Sequence, residues 1–231
     1  MEVTASLKIN WANETLTVRA DRTAWWEAQE TLIFTDPHFG KAGTFRAAGI
    51  PLPRGTLDQD LKRLSNAIEE TAPRRIIILG DFFHHRSGQT DETMDRICAW
   101  RERHSSIDFD LVMGNHDVRS ASVPSEWCIT VHSSSLAVAP FLFVHKPDEI
   151  KRLGTGASTG LFSMAGHVHP GVRLRGTFGM GKTCPCFWFG DRTALLPAFS
   201  LFTGTYQIRP RPQDQVVAIA DGKVISLGND R

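Results

Sequence analysis

Over the first 35 residues the apolar side chains alternate with polar ones or fall in short bursts: Leu7 and Ile9, Leu16 and Val18, Trp25 and Trp26, then the run Thr31 to Thr35. A period of two marks strands with one buried face, so this segment predicts a β-meander. At Thr56 the rhythm changes: Leu57, Leu61, Leu64 and Ile68 recur at helical spacing behind a Thr56-x-x-Gln59 capping box, and Pro73 closes the segment. Arg75 to Gly80 (RIIILG) is a short continuous apolar run, as expected of a strand buried on both faces, with Asp81 at its end. Residues 91 to 104, with Met94, Ile97 and Arg101 on one stripe, predict a second helix. Phe109 to Met113 predicts another buried strand, ending at Gly114.

From Trp127 onward strands dominate: Ile129 to His132, Leu136 to Val144, Leu161 to Ala165, Val172 to Leu174, Phe187 to Phe189 and Val216 to Ile219. Two sheets packed face to face and flanked by helices fit this order. With no repeat, low-complexity tract or long linker, residues 1–231 are expected to form a single domain.

Composition narrows the class. Of 231 residues 41% are apolar and 22% charged, which supports a sizeable core and excludes disordered or collagen-like chains. The net charge of +1 gives no global footprint for nucleic acid, so such a partner needs a local patch. Arg46, Arg54, Arg173, Arg175 and Lys182 are its candidates. Glu2 and Lys8 do not suit a secretory leader, and Leu136 to Val144, broken by Pro140, is too short to cross a membrane. Cys98, Cys128, Cys184 and Cys186 have no C-x-x-C spacing. A soluble cytoplasmic protein with reduced thiols and no membrane partner is expected.

The chemistry gathers where the apolar runs stop. Asp36-Pro-His38, Gly80-Asp81, Gly114-Asn115-His116-Asp117, His145 and Gly166-His167-Val168-His169 each follow such a run. In open α/β sheets, sites form beyond the carboxyl ends of strands, so residues far apart in sequence can converge there. Singly, each cluster has a plainer reading. Asp before proline favours a turn, Asn115 and Asp117 could be caps, and His145 could be a hydrogen-bonded interior histidine.

In this order, D-x-H, GD, GNHD, H and GH-x-H resemble the five motifs of the calcineurin-like metallophosphoesterases. The resemblance implies a four-layer αββα sandwich and two divalent metal ions. One would be held by Asp36, His38, Asp81 and His169, the other by Asp81, Asn115, His145 and His167, with Asp81 bridging. A bridging carboxylate suits ions about 3.5 to 4 Å apart, the spacing that clamps both ends of an in-line phosphoryl displacement. The mixed nitrogen and oxygen donors favour manganese, with iron or zinc as alternatives. The implied reaction is phosphodiester hydrolysis by a metal-activated hydroxide. His116 would protonate the leaving oxygen, and Asp117 would orient it and, as an adjacent opposite charge, favour its protonated form.

Gly40 to Thr56 (GKAGTFRAAGIPLPRGT), GDFFHHR, the pairing of GHVHPGVRLRG with CPCFWFG, and LLPAFSLFTG are similar to the PdeM-type, ligase-associated DNA damage response endonucleases. That likeness implies a DNA endonuclease of repair, on DNA with single-stranded character, acting beside a DNA ligase, an exonuclease and a helicase. His84 stands three residues after Asp81, where related nucleases place a phosphate-contacting histidine; the plainer reading is a solvated loop residue beside His85 and Arg86. The alternatives are a phosphodiesterase or phosphatase for small nucleotides and, against the full ligand set, a silent interaction module. Gly176 to Thr183 satisfies the P-loop expression G-x-x-x-x-G-K-[ST]. It is followed by Cys184-Pro185-Cys186 and aromatic residues, which read as a strand where a P-loop needs a helix. Gly154 to Gly160 is glycine-rich without a P-loop lysine and reads as a loop beside the site.

Overall fold

The computed structural model describes residues 3–47, 49–50, 55–120, 122–148, 160–175 and 181–227. After the short strand β1 (Val3–Thr4), the expected meander forms as β2 (Ser6–Trp11), β3 (Glu14–Arg19), β4 (Ala24–Trp26) and β5 (Thr31–Phe34). Helices α1 (Lys41–Ala47) and α2 (Thr56–Thr71) precede β6 (Arg75–Leu79), and α3 (Asp91–Arg103) leads to β7 (Asp108–Val112) and β8 (Ile129–His132). These make one sheet in the order β2 to β8, antiparallel up to β5 and parallel from β5 to β8.

The later chain supplies β9 (Ser135–Val138), β10 (Phe141–Val144), β11 (Phe162–Ala165), β12 (Pro170–Arg175), β13 (Gly181–Phe189), β14 (Thr193–Leu195), β15 (Tyr206–Gln207), β16 (Gln215–Ala220) and β17 (Lys223–Ser226). With β1 they form the second sheet, in which β10, β11 and β14 run parallel. The apolar run Leu136 to Val144 is two antiparallel strands about an Ala139–Pro140 turn.

The continuous runs are buried on both faces because their alternate residues serve two cores. Ile33, Ile77, Leu79 and Val112 pack with Phe141, Phe143, Met164, Phe187 and Val217 of the second sheet. Leu32, Phe34, Ile76, Ile78 and Leu111 face the other way, against Leu61, Leu64 and Ile68 of α2 and Ile97 and Trp100 of α3. The chain is thus a mixed α/β sandwich of two facing sheets. Among the described residues, apolar clusters including Leu142, Val144 and Ala165, and Val172, Cys186 and Val216, lie on the side of the second sheet away from the shared core.

The capping box is not what starts α2. Gly55 is the N-cap, with no side-chain cap bond, and Gln59 N–H donates to its carbonyl at 3.0 Å. Thr56 already lies inside the helix and is buried, so its hydroxyl comes one residue too late to cap. At the other end, Ala72 in the left-handed conformation donates to the Ile68 carbonyl before Pro73.

Candidate metal centre

The parallel strands β5, β6 and β7 of one sheet and β10 and β11 of the other end at the same place. The loops after β5 and β6 are laced together by backbone hydrogen bonds: Asp36 N–H to Gly80 O at 3.2 Å, His38 N–H to Asp81 O at 3.0 Å, Phe39 N–H to Phe82 O at 2.8 Å and His84 N–H to Phe39 O at 3.1 Å. Asp36 and His38 are thereby set against Asp81. The second sheet joins through His167 N–H, which donates to Asp36 Oδ2 at 3.0 Å.

The glycines in the motifs make this approach possible. A Cβ on Gly80 would stand 2.3 Å from His145 Nδ1, on Gly114 2.2 Å from Asp81 Oδ1, and on Gly166 1.7 Å from Thr35 Oγ1. The backbone is also bent at the candidate ligands. Asp36, His38, Asp81, His167 and His169 all have positive φ, between 48° and 63°. L-residues rarely adopt that conformation, which costs of order 1 to 3 kcal/mol each and persists where surrounding structure enforces it.

Among the described residues three groups of possible donors result, each with its ligand atoms within 4.8 Å of one another: Asp36 with His38 and His169, Asp81 with His145 and His167, and His38 with His84 and His116. Asp36 Oδ1, His38 Nδ1 and His169 Nε2 are buried and have no hydrogen-bond partner among the described residues, with His169 Nε2 3.4 Å from Asp36 Oδ1. Buried polar atoms of that kind are costly, and a bound cation is the partner that satisfies a carboxylate and two imidazoles together. His145 Nδ1–H donates to the Leu79 carbonyl at 2.8 Å, which leaves Nε2 facing Asn115 Oδ1 at 3.2 Å and Asp81 Oδ2 at 3.5 Å. The residues fit a pair of divalent cations.

Charge follows the same lines. Burial raises the Asp81 carboxyl, but hydrogen bonding and charge from His145 and the His116 N–H outweigh it and hold it down at about 2. Burial likewise works against Asp36, which His169, His145 and His38 nonetheless keep below the usual carboxylate range. Burial would depress His145, but its bond to Asp81 and the charges of Asp36 and Asp81 push it up to about 9. Burial, with Lys41 among the nearby charges, lowers His38 to about 3 and His84 to about 4. Burial and His145 lower His167 as well.

His116 is oriented differently from expectation. Its Nδ1 bonds the His84 carbonyl at 2.6 Å and its backbone N–H donates to Asp81 Oδ1 at 2.8 Å. The Asp117 carboxylate instead accepts from Gly114 N–H at 2.8 Å and Phe83 N–H at 3.3 Å. Asp117 therefore fixes the loop that carries Asn115 and His116, and the role of orienting the His116 ring passes to a backbone carbonyl. His84 is half buried, stacked on His116 at 5.2 Å and on Phe45 at 5.9 Å, and is not a solvated loop residue. Arg46, Arg173 and Lys182 are exposed; Arg54 and the Arg175 side chain lie outside the described residues, as do 154–159 and 176–180. Gly181 to Thr183 begin β13, so the P-loop-like run is followed by a strand.

Several partners had no signal in the sequence. Thr35 Oγ1 lies 2.6 Å from Asp36 Oδ2 and 2.8 Å from the Leu79 carbonyl, tying β5 to β6 beside the carboxylate. Arg22 and Arg63 hold the backbone of residues 198–200, which in turn meets Thr35 and Asp36.

A family model described as calcineurin-like phosphoesterase matches residues 30–177. Among solved structures, the chain is similar to the Pseudomonas putida nuclease MPE, with 31% identity and a TM-score of 0.82 over 96% of this chain and 100% of that one. A weaker similarity is to Yfce, a phosphoesterase from E. coli, with 12% identity and a TM-score of 0.37 over 87% of this chain and 93% of that one. No curated protein matches the chain. Among the described residues, no helix is long and apolar enough to cross a membrane.

Proposed function

The chain belongs to the calcineurin-like phosphoesterase family and is a metal-dependent phosphoesterase, and from that premise we propose that it is a DNA endonuclease of repair, cutting strands with single-stranded character. The observation that carries the metal chemistry is the set of orphaned buried atoms on Asp36, His38 and His169 beside the second donor group of Asp81, His145 and His167. The nuclease reading is supported by the likeness, over nearly the whole chain, to a protein named as a nuclease. In this reading residues 1–231 act as one catalytic domain. By family resemblance it would work beside a DNA ligase, an exonuclease and a helicase.

We assign one ion to Asp36, His38, Asp81 and His169, and the other to Asp81, Asn115, His145 and His167. Asp81 Oδ2 stands 3.5 Å from His145 Nε2 and the Asp81 backbone accepts from His38 N–H, which supports giving its carboxylate the bridging role in this assignment. Two divalent ions, manganese in this assignment, would supply a positive clamp on the phosphoryl oxygens and an activated water. The protein's own groups do the rest. His116 commits Nδ1 to the His84 carbonyl, which leaves Nε2 to carry a proton to the leaving oxygen. In this reading His84, half buried and stacked on His116, contacts a phosphate oxygen, and Asp117 keeps the loop in position.

The test is hydrolysis by the purified protein with manganese, on single-stranded, nicked and duplex oligonucleotides and on small nucleotide phosphodiesters and monoesters. Internal cleavage of single strands, abolished by a chelator, is expected. Turnover confined to the small nucleotides would overturn the nuclease reading while leaving the phosphoesterase intact.

A further inference from the structure

One backbone segment runs along the edge of the metal centre. At its start Phe199 N–H donates to Thr35 O at 2.7 Å and Ser200 N–H to Asp36 O at 3.4 Å; at its end Tyr206 N–H donates to His169 O at 2.9 Å. In between, Lys41 Nζ donates to Thr203 Oγ1 at 3.2 Å. Residues 201–205 are thus held at both ends by the backbone of two candidate ligand residues.

The side chains of this rim are unusual for where they lie. Six large apolar residues are exposed among those described, and three of them, Leu201 at 47%, Phe202 at 39% and Tyr206 at 67%, fall within this stretch. A fourth, Val118, follows His116 and Asp117 on another loop of the site. Phe202 shares a cavity with His38, Lys41 and Arg46. Apolar side chains clustered in the open beside a polar catalytic centre mark a surface that a ligand covers. Charge bears on the same ligand: from Phe199 to Gln213 the chain has no acidic residue and carries Arg209 and Arg211, both exposed.

A phosphodiester offers the metal centre only its phosphate. What remains of a nucleotide is the sugar and the π-face of the base, and aromatic rings beside a basic surface hold bases by stacking irrespective of sequence. Bases paired inside a duplex do not present that face. We propose that the rim segment Leu201–Tyr206 is a stacking platform for unpaired bases flanking the scissile phosphate, with Phe202 and Tyr206 as the stacking rings. This rests on the DNA reading above.

The experiment crosses side chain with base. The wild type and the double variant Phe202→Ala, Tyr206→Ala are assayed with manganese on a single-stranded oligothymidylate and on an abasic oligomer of equal length. For the wild type, KM on the abasic oligomer should exceed that on oligothymidylate by about tenfold or more, the scale of one stacked base. In the double variant the ratio should fall toward one. A merely structural role for the rim would weaken both substrates equally and preserve the ratio, and that result would overturn the platform. So would a wild-type ratio near one. If the wild type hydrolyses bis-p-nitrophenyl phosphate but neither oligomer, the DNA reading itself fails and the platform with it.

Discussion

The Arg63 guanidinium lies 4.0 Å over the ring of Phe199 and donates a hydrogen bond to the Phe199 carbonyl. Since Phe199 N–H donates to the Thr35 carbonyl, a cation on α2 braces the residue that precedes Asp36. Arg22 adds bonds to Ala198 O at 3.0 Å and Ser200 O at 2.6 Å, and Asp60 lies 3.2 Å from Arg63. Burial lowers Arg22 to about 10 and raises Asp60 to about 6, so the cluster is held together against a real desolvation cost.

Arg63→Met keeps the bulk of the stem and removes both the charge and the donors. We expect a loss of roughly 1 to 3 kcal/mol in urea unfolding, with weaker metal retention because the support behind Thr35 and Asp36 is gone. Arg63→Lys keeps the charge but not the planar fork and should fall between. Wild-type stability and metal content in Arg63→Met would show that the brace is idle.

Gly166→Ala tests the close approach of the two sheets. Its Cβ would stand 1.7 Å from Thr35 Oγ1 and 2.7 Å from Asp36 Oδ2, so the GH-x-H turn must move away from Asp36. The expected outcome is loss of metal from the Asp36, His38 and His169 group, read by metal analysis of the folded variant, together with loss of hydrolysis. Full metal occupancy and activity would mean that the turn can shift without cost.

How far such relationships can be read in advance depends on their span. The meander, the runs RIIILG and Phe109 to Met113, and the placing of polar clusters at strand ends are local patterns, and each appears in the fold as expected. Helix α1 is different: Lys41–Ala47 contains a glycine, and Gly40 and Gly43 pack against Gly88, so a tertiary contact favours a helix that local preference does not announce. The Leu136 to Val144 run carries one turn signal, Pro140, and the chain does reverse there, but with no glycine, asparagine or aspartate beside it the nine residues read as one interrupted strand and not as a hairpin. The candidate site was legible as a set of residue types in order. What holds it was not, since the bracing contacts of Thr35, Arg22 and Arg63 join residues 44 to 178 positions apart. Asp117 shows the converse error: adjacency to His116 in sequence suggested a pair that the loop geometry separates.

Metal uptake should release a proton. In the cation-free site His145 is raised to about 9 by its carboxylate neighbours, so it is protonated at pH 7.5, with Nδ1–H committed to Leu79 and the second proton on Nε2. An imidazole must be neutral to ligate, so an ion binding at Nε2 displaces that proton, and affinity should rise with pH until about 9. Calorimetric titration of the chelator-treated protein with manganese, in buffers of different ionisation enthalpy, measures the proton count directly. About one proton per chain is expected near pH 7.5, and it should vanish in His145→Ala. Proton-free uptake by the wild type would show that His145 is already neutral before the ion binds, and unchanged metal stoichiometry and affinity in His145→Ala would remove it from the ligand set.

The need for His116 should depend on the leaving group. Its Nδ1 is bonded to the His84 carbonyl at 2.6 Å, and its Nε2 lies 3.9 Å from Asp81 Oδ2, close enough to the candidate centre to act there without belonging to either assigned ligand set. A sugar alkoxide is a poor leaving group, so its departure needs a proton, and a positioned acid contributes about 10²- to 10⁴-fold. A nitrophenolate leaves without that help. His116→Gln should therefore cost about 10²-fold or more on single-stranded DNA and far less on bis-p-nitrophenyl phosphate. Metal analysis must accompany the kinetics, because losing an ion depresses both reactions and imitates a catalytic defect. If His116 instead stabilises charge on the phosphoryl oxygens, or steadies Asp81 through its backbone N–H, the two substrates should suffer alike. Equal losses at full metal occupancy would remove the general acid and leave the metal centre as described, whereas a large split between the substrates would assign the proton to His116 Nε2.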